Sequence, residues 1–230
     1  MQVALLTVGD ELLAGDIADT NAAWLAARLA ERGVSVREIL TLPDTVEVIA
    51  PRLGDLAERS DAVIVTGGVG GTPDDVTMDA IAAAFDAPLT THPEARAGVE
   101  RTLSKYDGDV DVDIEAWSAL PEGSEAIPNE VGLSPGCRIE SVYVLPGIPE
   151  EMKAMFGEIA DAFDGDRVVR TIRSAEPESA LVADLNRAIE RFDVSVGSYP
   201  EDDGEEKRIT VRGDSVEAVE AAIAWLDERV

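Results

Sequence analysis

The chain reads as an α/β protein: a mostly parallel sheet with helices on both faces, followed by a small α+β unit. Three observations predict this. Short apolar, β-branched runs alternate with helical periodicities through the first two thirds of the 230 residues. Three of the strand-to-helix turns are rich in glycine or proline and carry carboxylates. Beyond Gly165-Asp166 the order becomes strand, helix, strand, strand, helix, which divides the chain into residues 1–165 and 166–230.

The elements follow in order. Val3–Val8 is a first strand. Asp19 or Thr20 caps a helix with Ala22, Leu25, Ala26 and Leu29 on one face, and Gly33 stops it. Val34, Val36 and Leu40 mark a second strand. Asp44 starts a helix with Val46, Ile49, Leu53 and Leu56 on one stripe; Pro51 interrupts it and predicts a kink or a late start. Ala62–Thr66 is a buried strand, and Asp75–Phe85 a helix. Pro93 opens a helix reaching about Tyr106. Asp107–Asp113 is an acidic loop, and Ile114–Leu120 reads as a short helix. Glu125–Ile127 and Ser141–Leu145 read as strands joined by a Gly/Pro-containing loop, and Pro149 starts a helix to about Phe163. In the last third Val168–Arg173, Val194–Tyr199 and Arg208–Arg212 are strand-like, Pro177–Phe192 and Ser215–Arg229 helical, and Tyr199–Glu206 an acidic hairpin loop.

Composition bounds the function. With 45% hydrophobic and only 4% aromatic residues, alanine, valine and leucine must fill the core. Forty-seven acidic residues stand against 19 basic ones, a net charge of −28, and Lys105, Lys153 and Lys207 are the only lysines. Such self-repulsion is relieved in molar salt, where the Debye length falls to about 3 Å; the composition resembles that of extreme halophiles. Nucleic acid is a poor partner for this charge. Cys137 stands alone, which excludes an intramolecular disulfide or a cysteine metal cluster. No apolar run spans a membrane, and the N-terminus reads as a strand rather than a signal peptide, so a cytoplasmic protein is expected.

The most informative stretch is Thr66-Gly67-Gly68-Val69-Gly70-Gly71-Thr72-Pro73-Asp74-Asp75. Glycines let a backbone approach a ligand and turn its N–H groups inward, and a helix start beyond adds its own. That corner is suited to phosphate. Carboxylates beside phosphate repel it unless a divalent cation lies between, so an anionic ligand and a metal are predicted together. One of Asp74 and Asp75 is expected to cap the helix; the other is then free as metal ligand or general base. Two further loops lie on the same predicted sheet edge. The first runs Gly9-Asp10-Glu11-Leu12-Leu13-Ala14-Gly15 and on to Asn21, which bonds a ligand or caps its own helix. The second is Leu145-Pro146-Gly147-Ile148-Pro149-Glu150-Glu151-Met152. His92 is expected to cap a helix, and Cys137 to be a packed side chain rather than a nucleophile.

The glycine corner with Asp74-Asp75-Val76-Thr77 resembles the signature of the molybdopterin-binding MoaB/Mog-like family. Gly9-Asp10-Glu11-Leu12-Leu13 with Thr20-Asn21, Asn129 through Gly132, Ser134-Pro135-Gly136 and the 145–152 loop resemble its CinA N-terminal (competence/damage-inducible) branch. The tail, with Gly197-Ser198-Tyr199-Pro200, looks like the small KH-like unit that follows in that branch. The resemblance implies a three-layer α/β/α domain holding a phosphorylated nucleotide or pterin at the three loops, in a homo-oligomer. It implies Asp75 at the key acidic position beside Asp74, phosphate contacts from Gly67, Gly68, Gly70 and Thr72, and a pocket closed by Pro146, Gly147 and Glu151. Gly71 stands where the family usually has proline. Full-length relatives add a nicotinamide mononucleotide deamidase domain; this sequence ends at Val230, so that activity is expected to be absent.

The resulting expectation is a divalent-metal-dependent (Mg²⁺-type) pyrophosphatase acting on ADP-ribose or FAD-type dinucleotides, its metal held by Asp75 with Asp74 or Asp10. Gly9, Asp10, Glu11 and Asn21 join the corner as ligand-binding candidates. A molybdopterin-binding, adenylylating protein and a non-catalytic binding module are the alternatives.

Overall fold

The computed structural model describes residues 1–105, 112–200 and 206–230. They fall into two compact units, one of Gln2–Arg28 and Val36–Phe163, the other of Met1, Leu29–Ser35 and Asp164–Val230. The expected acidic loop at 107–113 and the tip of the hairpin at 199–206 lie largely outside the described residues.

In chain order the elements are β1 (Gln2–Val8), α1 (Asp10–Ala14), α2 (Thr20–Glu31), β2 (Ser35–Leu42), α3 (Val46–Arg59), β3 (Ala62–Thr66), α4 (Thr77–Phe85), β4 (Leu89–Thr91), α5 (Pro93–Leu103), α6 (Ile114–Trp117), β5 (Ala119–Pro121), β6 (Glu125–Ile127), β7 (Gly136–Ile139), β8 (Val142–Leu145) and α7 (Pro149–Ile159), then a 3₁₀ turn at Ala160–Ala162. The main sheet runs β2-β1-β3-β8-β7-β6. β1–β3 and β3–β8 are parallel, while β7 and β6 run antiparallel at one end. Every residue of β3 is buried, the mark of a strand covered on both faces. Ala4, Leu6 and Val8 pack with Ile49, Leu53 and Leu56 of α3 on one face. Beyond the other, Trp24 of α2 meets Phe156 of α7 edge to face at 5.6 Å.

Thr7 pairs with Thr66, and Thr66 with Leu145, so the ends of β1, β3 and β8 lie level. The three loops singled out in the sequence therefore leave one sheet edge.

Several sequence expectations are corrected. The stretch after Gly9 is not a loop but the short helix α1. α3 starts at Val46, ahead of Pro51, and continues through it; Pro51 and Glu47 are both exposed, so the carbonyl that Pro51 leaves without a donor faces water. α4 begins at Thr77, two residues later than expected, and α6 stops at Trp117 before β5. The Gly/Pro-containing loop ahead of residue 141 contains β7, whose Cys137 is buried. His92 occupies an N-cap position without a side-chain capping bond.

The second unit continues with β9 (Val168–Ser174), α8 (Glu178–Phe192), β10 (Ser195–Pro200), β11 (Lys207–Gly213) and α9 (Val216–Asp227). Its antiparallel sheet runs β10-β11-β9. Ile209 and Val211 point into a core with Leu181, Ala188, Val219, Ala222 and Leu226. Strand alternation sends Arg208, Thr210 and Arg212 to the opposite face. Ser215 caps α9 by accepting from the Ala218 N–H at 3.2 Å. No helix among the described residues is long and apolar enough to cross a membrane.

Candidate functional site

A cleft of about 500 Å³ opens at the level ends of β1, β3 and β8. The glycine corner forms its floor. Gly67 and Gly68 take left-handed φ of 96° and 61°; a side chain at Gly67 would strike the Val8 carbonyl, and one at Gly68 would lie 2.5 Å from Thr77 Oγ1. Thr77 fastens the corner: its hydroxyl donates to Gly67 O at 2.8 Å and its N–H to Gly68 O at 2.9 Å.

Not all the corner's amides are available to a ligand. Gly67 N–H donates to Leu145 O as part of the sheet, and Thr72 N–H to Asp75 Oδ2 at 2.9 Å. Among the described residues the N–H groups of Gly68, Val69 and Gly70 have no protein acceptor, and all three residues line the cleft. The donor set is thus narrower than 67–72. One of Asp74 and Asp75 is expected to cap the helix, but neither caps α4: Val76 stands at that position. Asp75 closes a turn with the Thr72 N–H and hydroxyl, while Asp74 remains exposed on the cleft wall. The Thr72 hydroxyl, which lies beside both carboxylates, and Asp74's own N–H hold Asp74 below the ordinary carboxylate range.

Gly9, Glu11, Asn21, Gly67, Gly68, Gly70, Asp74, Asp75, Pro146, Gly147 and Glu151 all line the cleft. Asp10, Gly71 and Thr72 do not. Gly71 packs against the Trp117 indole, which explains a glycine there without a ligand. Asp10 contributes its backbone N–H, donated to Asp44 Oδ2 at 2.8 Å. Asn21 does not cap its helix: Asp19 accepts from the Ala22 N–H at 2.9 Å, Asn21 Nδ2 donates to Gly147 O at 2.7 Å, and its buried Oδ1 has no partner among the described residues. Glu151, in the first turn of α7, is held by Asn129 Nδ2 at 2.6 Å. The same Asn129 accepts the Val131 and Gly132 N–H groups and so sets the 129–134 loop.

Sequence reasoning missed Asp44, which it placed only at a helix start. Asp44 follows β2, neighbour of β1 in the sheet, and lines the cleft. An Oδ1 that would lie 3.2 Å from a Cβ at Gly68 sets it against the corner. Burial raises its carboxyl above the usual range against the lowering bond from Asp10, and the charges of Asp10, Glu11 and Asp74 push the same way as burial. Its position at the end of a strand on the same edge was the available signal.

A divalent cation would find oxygens here, but no preassembled cage: no three His, Cys, Asp or Glu side chains among the described residues are grouped as metal ligands. The donor chemistry suits Mg²⁺, which takes one or two carboxylates and completes its shell with water and phosphate oxygens. Leu12 together with exposed Ile17 and Ile148 supplies apolar wall at the mouth.

Parallel strands ending level at a glycine corner with unspent amides define an α/β domain with a candidate anion site at its strand ends. The chain belongs to the MoaB/Mog-like family, CinA N-terminal branch: residues 4–164 match the model described as a probable molybdopterin binding domain. Residues 167–230 match the FAD synthase middle domain. A protein of Archaeoglobus fulgidus is 38% identical over 87% of this chain and 86% of its own length. A CinA-like protein of Citrifermentans bemidjiense is 42% identical over 69% of this chain, but the match spans only 39% of that relative. The crystal structure of CinA from Thermoplasma acidophilum superimposes with a TM-score of 0.64 at 29% identity, covering 70% of this chain and 97% of that one.

Proposed function

We propose that the cleft binds the diphosphate of a dinucleotide such as ADP-ribose or FAD and, with a divalent metal, hydrolyses it. The observation that carries this reading is the pairing of unspent amides at Gly68, Val69 and Gly70 with the carboxylates of Asp44, Asp74 and Asp75 on the same walls. The amides receive phosphate oxygens. Leu12, Ile17 and Ile148 offer apolar surface for a heterocycle, and Asn21 Oδ1 accepts a donor from the ligand or from ordered water. One or two of Asp44, Asp74 and Asp75 would hold the cation, with water and phosphate oxygens completing its shell, and the cation would supply charge neutralisation and a lowered pKa for bound water. The match of the second unit to a domain of FAD synthase supports a nucleotide ligand. The test is AMP release from ADP-ribose, FAD and NADH in high salt with Mg²⁺. No release from any of them, together with tight molybdopterin binding, rejects the reading.

The description of the matching family model favours a second reading, in which the cleft binds molybdopterin. ATP-dependent adenylylation of molybdopterin would separate it from the first.

A further inference from the structure

The open face of the three-stranded sheet in the second unit is chemically unlike the rest of this acidic chain. Register places Tyr199 beside Arg208 and Arg208 beside Arg173; the next row on that face is Gly197, Thr210 and Thr171, and the third ends on Ser195, Arg212 and Val169. Three of the chain's 19 basic residues thus share one small face while 47 acidic ones cover the protein. Gly197 has a specific use here. A Cβ on it would come within 2.6 Å of Tyr199 Oη, so the phenol lies back along its own strand over that glycine. The guanidinium carbons of Arg208 and Arg212 each stand 6.0 Å from the ring centroid. Tyr199 is 42% exposed, Thr210 is buried beneath, and together with Thr171 and the two arginines they line a hollow of about 410 Å³. Arg173 pairs with Glu206 at 3.8 Å.

We infer that this face is a second ligand site, taking a mononucleotide: a planar heterocycle stacked on Tyr199 with its phosphate on Arg208 and Arg212. A partly exposed aromatic ring can stack with a heterocycle, and the guanidinium groups near it match phosphate oxygens. Charge complementarity favours a small anion. A polyanion would meet the repulsion of the whole −28 chain, whereas two local arginines suffice for one phosphate. The threonine hydroxyls give the floor hydrogen-bonding capacity that an apolar partner would waste.

The test is titration of the ¹⁵N-labelled full chain with AMP in molar KCl, following the Thr171, Gly197 and Thr210 amides. Saturable shifts at all three are expected, with weaker binding of adenosine and of ribose 5-phosphate, which lack the anion and the ring respectively. Tyr199→Ala should weaken AMP roughly tenfold or more, the range for loss of one stacked base, and Arg212→Glu similarly, while Tyr199→Phe should retain it. Absence of shifts at these amides overturns the inference. So does ribose 5-phosphate matching AMP, or a single-stranded oligonucleotide binding far more tightly than AMP. Amides of Gly68 and Gly70 in the same spectra report the cleft separately, so either site can fail without the other.

Discussion

The cleft at the ends of the parallel strands and the open face of the small antiparallel sheet solve opposite electrostatic problems. The cleft offers phosphate its backbone amides but surrounds them with Asp44, Asp74, Asp75 and Glu11. The sheet face offers Arg208 and Arg212 beside Tyr199. On the proposed reading, an anion entering the cleft would need a cation to mask the carboxylates, while one landing on the sheet face would meet guanidinium groups directly. The comparison teaches that net charge does not decide what each surface accepts. In a chain of charge −28, local donors within a few ångströms set the preference.

The largest effect expected from breaking either region is at Gly67. Its left-handed backbone and the Val8 carbonyl leave no room for a side chain. Gly67→Ala should cost roughly 3 kcal/mol or more, a fall of about 6–12 °C in Tm, measured by thermal unfolding. Gly197→Ala is its counterpart on the sheet face. There the obstacle is the movable end of Tyr199, so Tm should fall by under about 3 °C while AMP-induced shifts are lost.

A chelator should separate the two regions next. Removing divalent metal should abolish ADP-ribose binding in the cleft and leave AMP binding on the sheet face within about twofold, since arginines rather than carboxylates line that hollow among the described residues. Dissociation constants measured by titration calorimetry and by NMR in parallel, with and without chelator, read both.

Asp44 sharpens the contrast within the cleft. Its carboxyl is raised in the fold, so the charged form is disfavoured there relative to the unfolded chain. That penalty is absent below the ordinary carboxylate range and complete above the raised folded value. Asp44→Asn should therefore raise Tm at neutral pH in ligand-free, metal-free protein, and lose the gain as pH falls through the carboxylate range. The same variant should reduce AMP release tenfold to a hundredfold, the scale on which metal-site partners act.

Much of this organisation was legible in the sequence because it rests on strong local chemistry. The buried run Ala62–Thr66, apolar up to Val65, the glycines after it and the proline-initiated helix at Pro149 leave few alternatives for the backbone. Residues whose roles depend on distant partners were not legible. Asp44 looks like any helix-starting aspartate until β2 docks beside β1 and brings it against Gly68. Gly71 looks like the rest of the glycine corner until Trp117, 46 positions away, fills the space beside it. Thr72 and Asp75 close on each other, which spends an amide that the motif alone offers to a ligand. The strand β7 was hidden because Gly136, Cys137 and Arg138 carry little β-propensity and owe their conformation to pairing with β8.

The smallest expected effect concerns Cys137, which is buried in β7 and does not line the cleft. Burial pushes its thiol up to about 12. The native protein should therefore show no reaction with a thiol-specific reagent at pH 8, and one equivalent after unfolding.

The central claim is that the amides of residues 68–70 and the surrounding carboxylates receive a diphosphate only through a shared cation. Calorimetric titration of ADP-ribose into the protein, with Mg²⁺ and then with chelator, tests it most directly. Saturable one-to-one binding that requires Mg²⁺ and disappears in Gly68→Val is predicted. Binding of equal strength without metal, or undiminished in that variant, would contradict it.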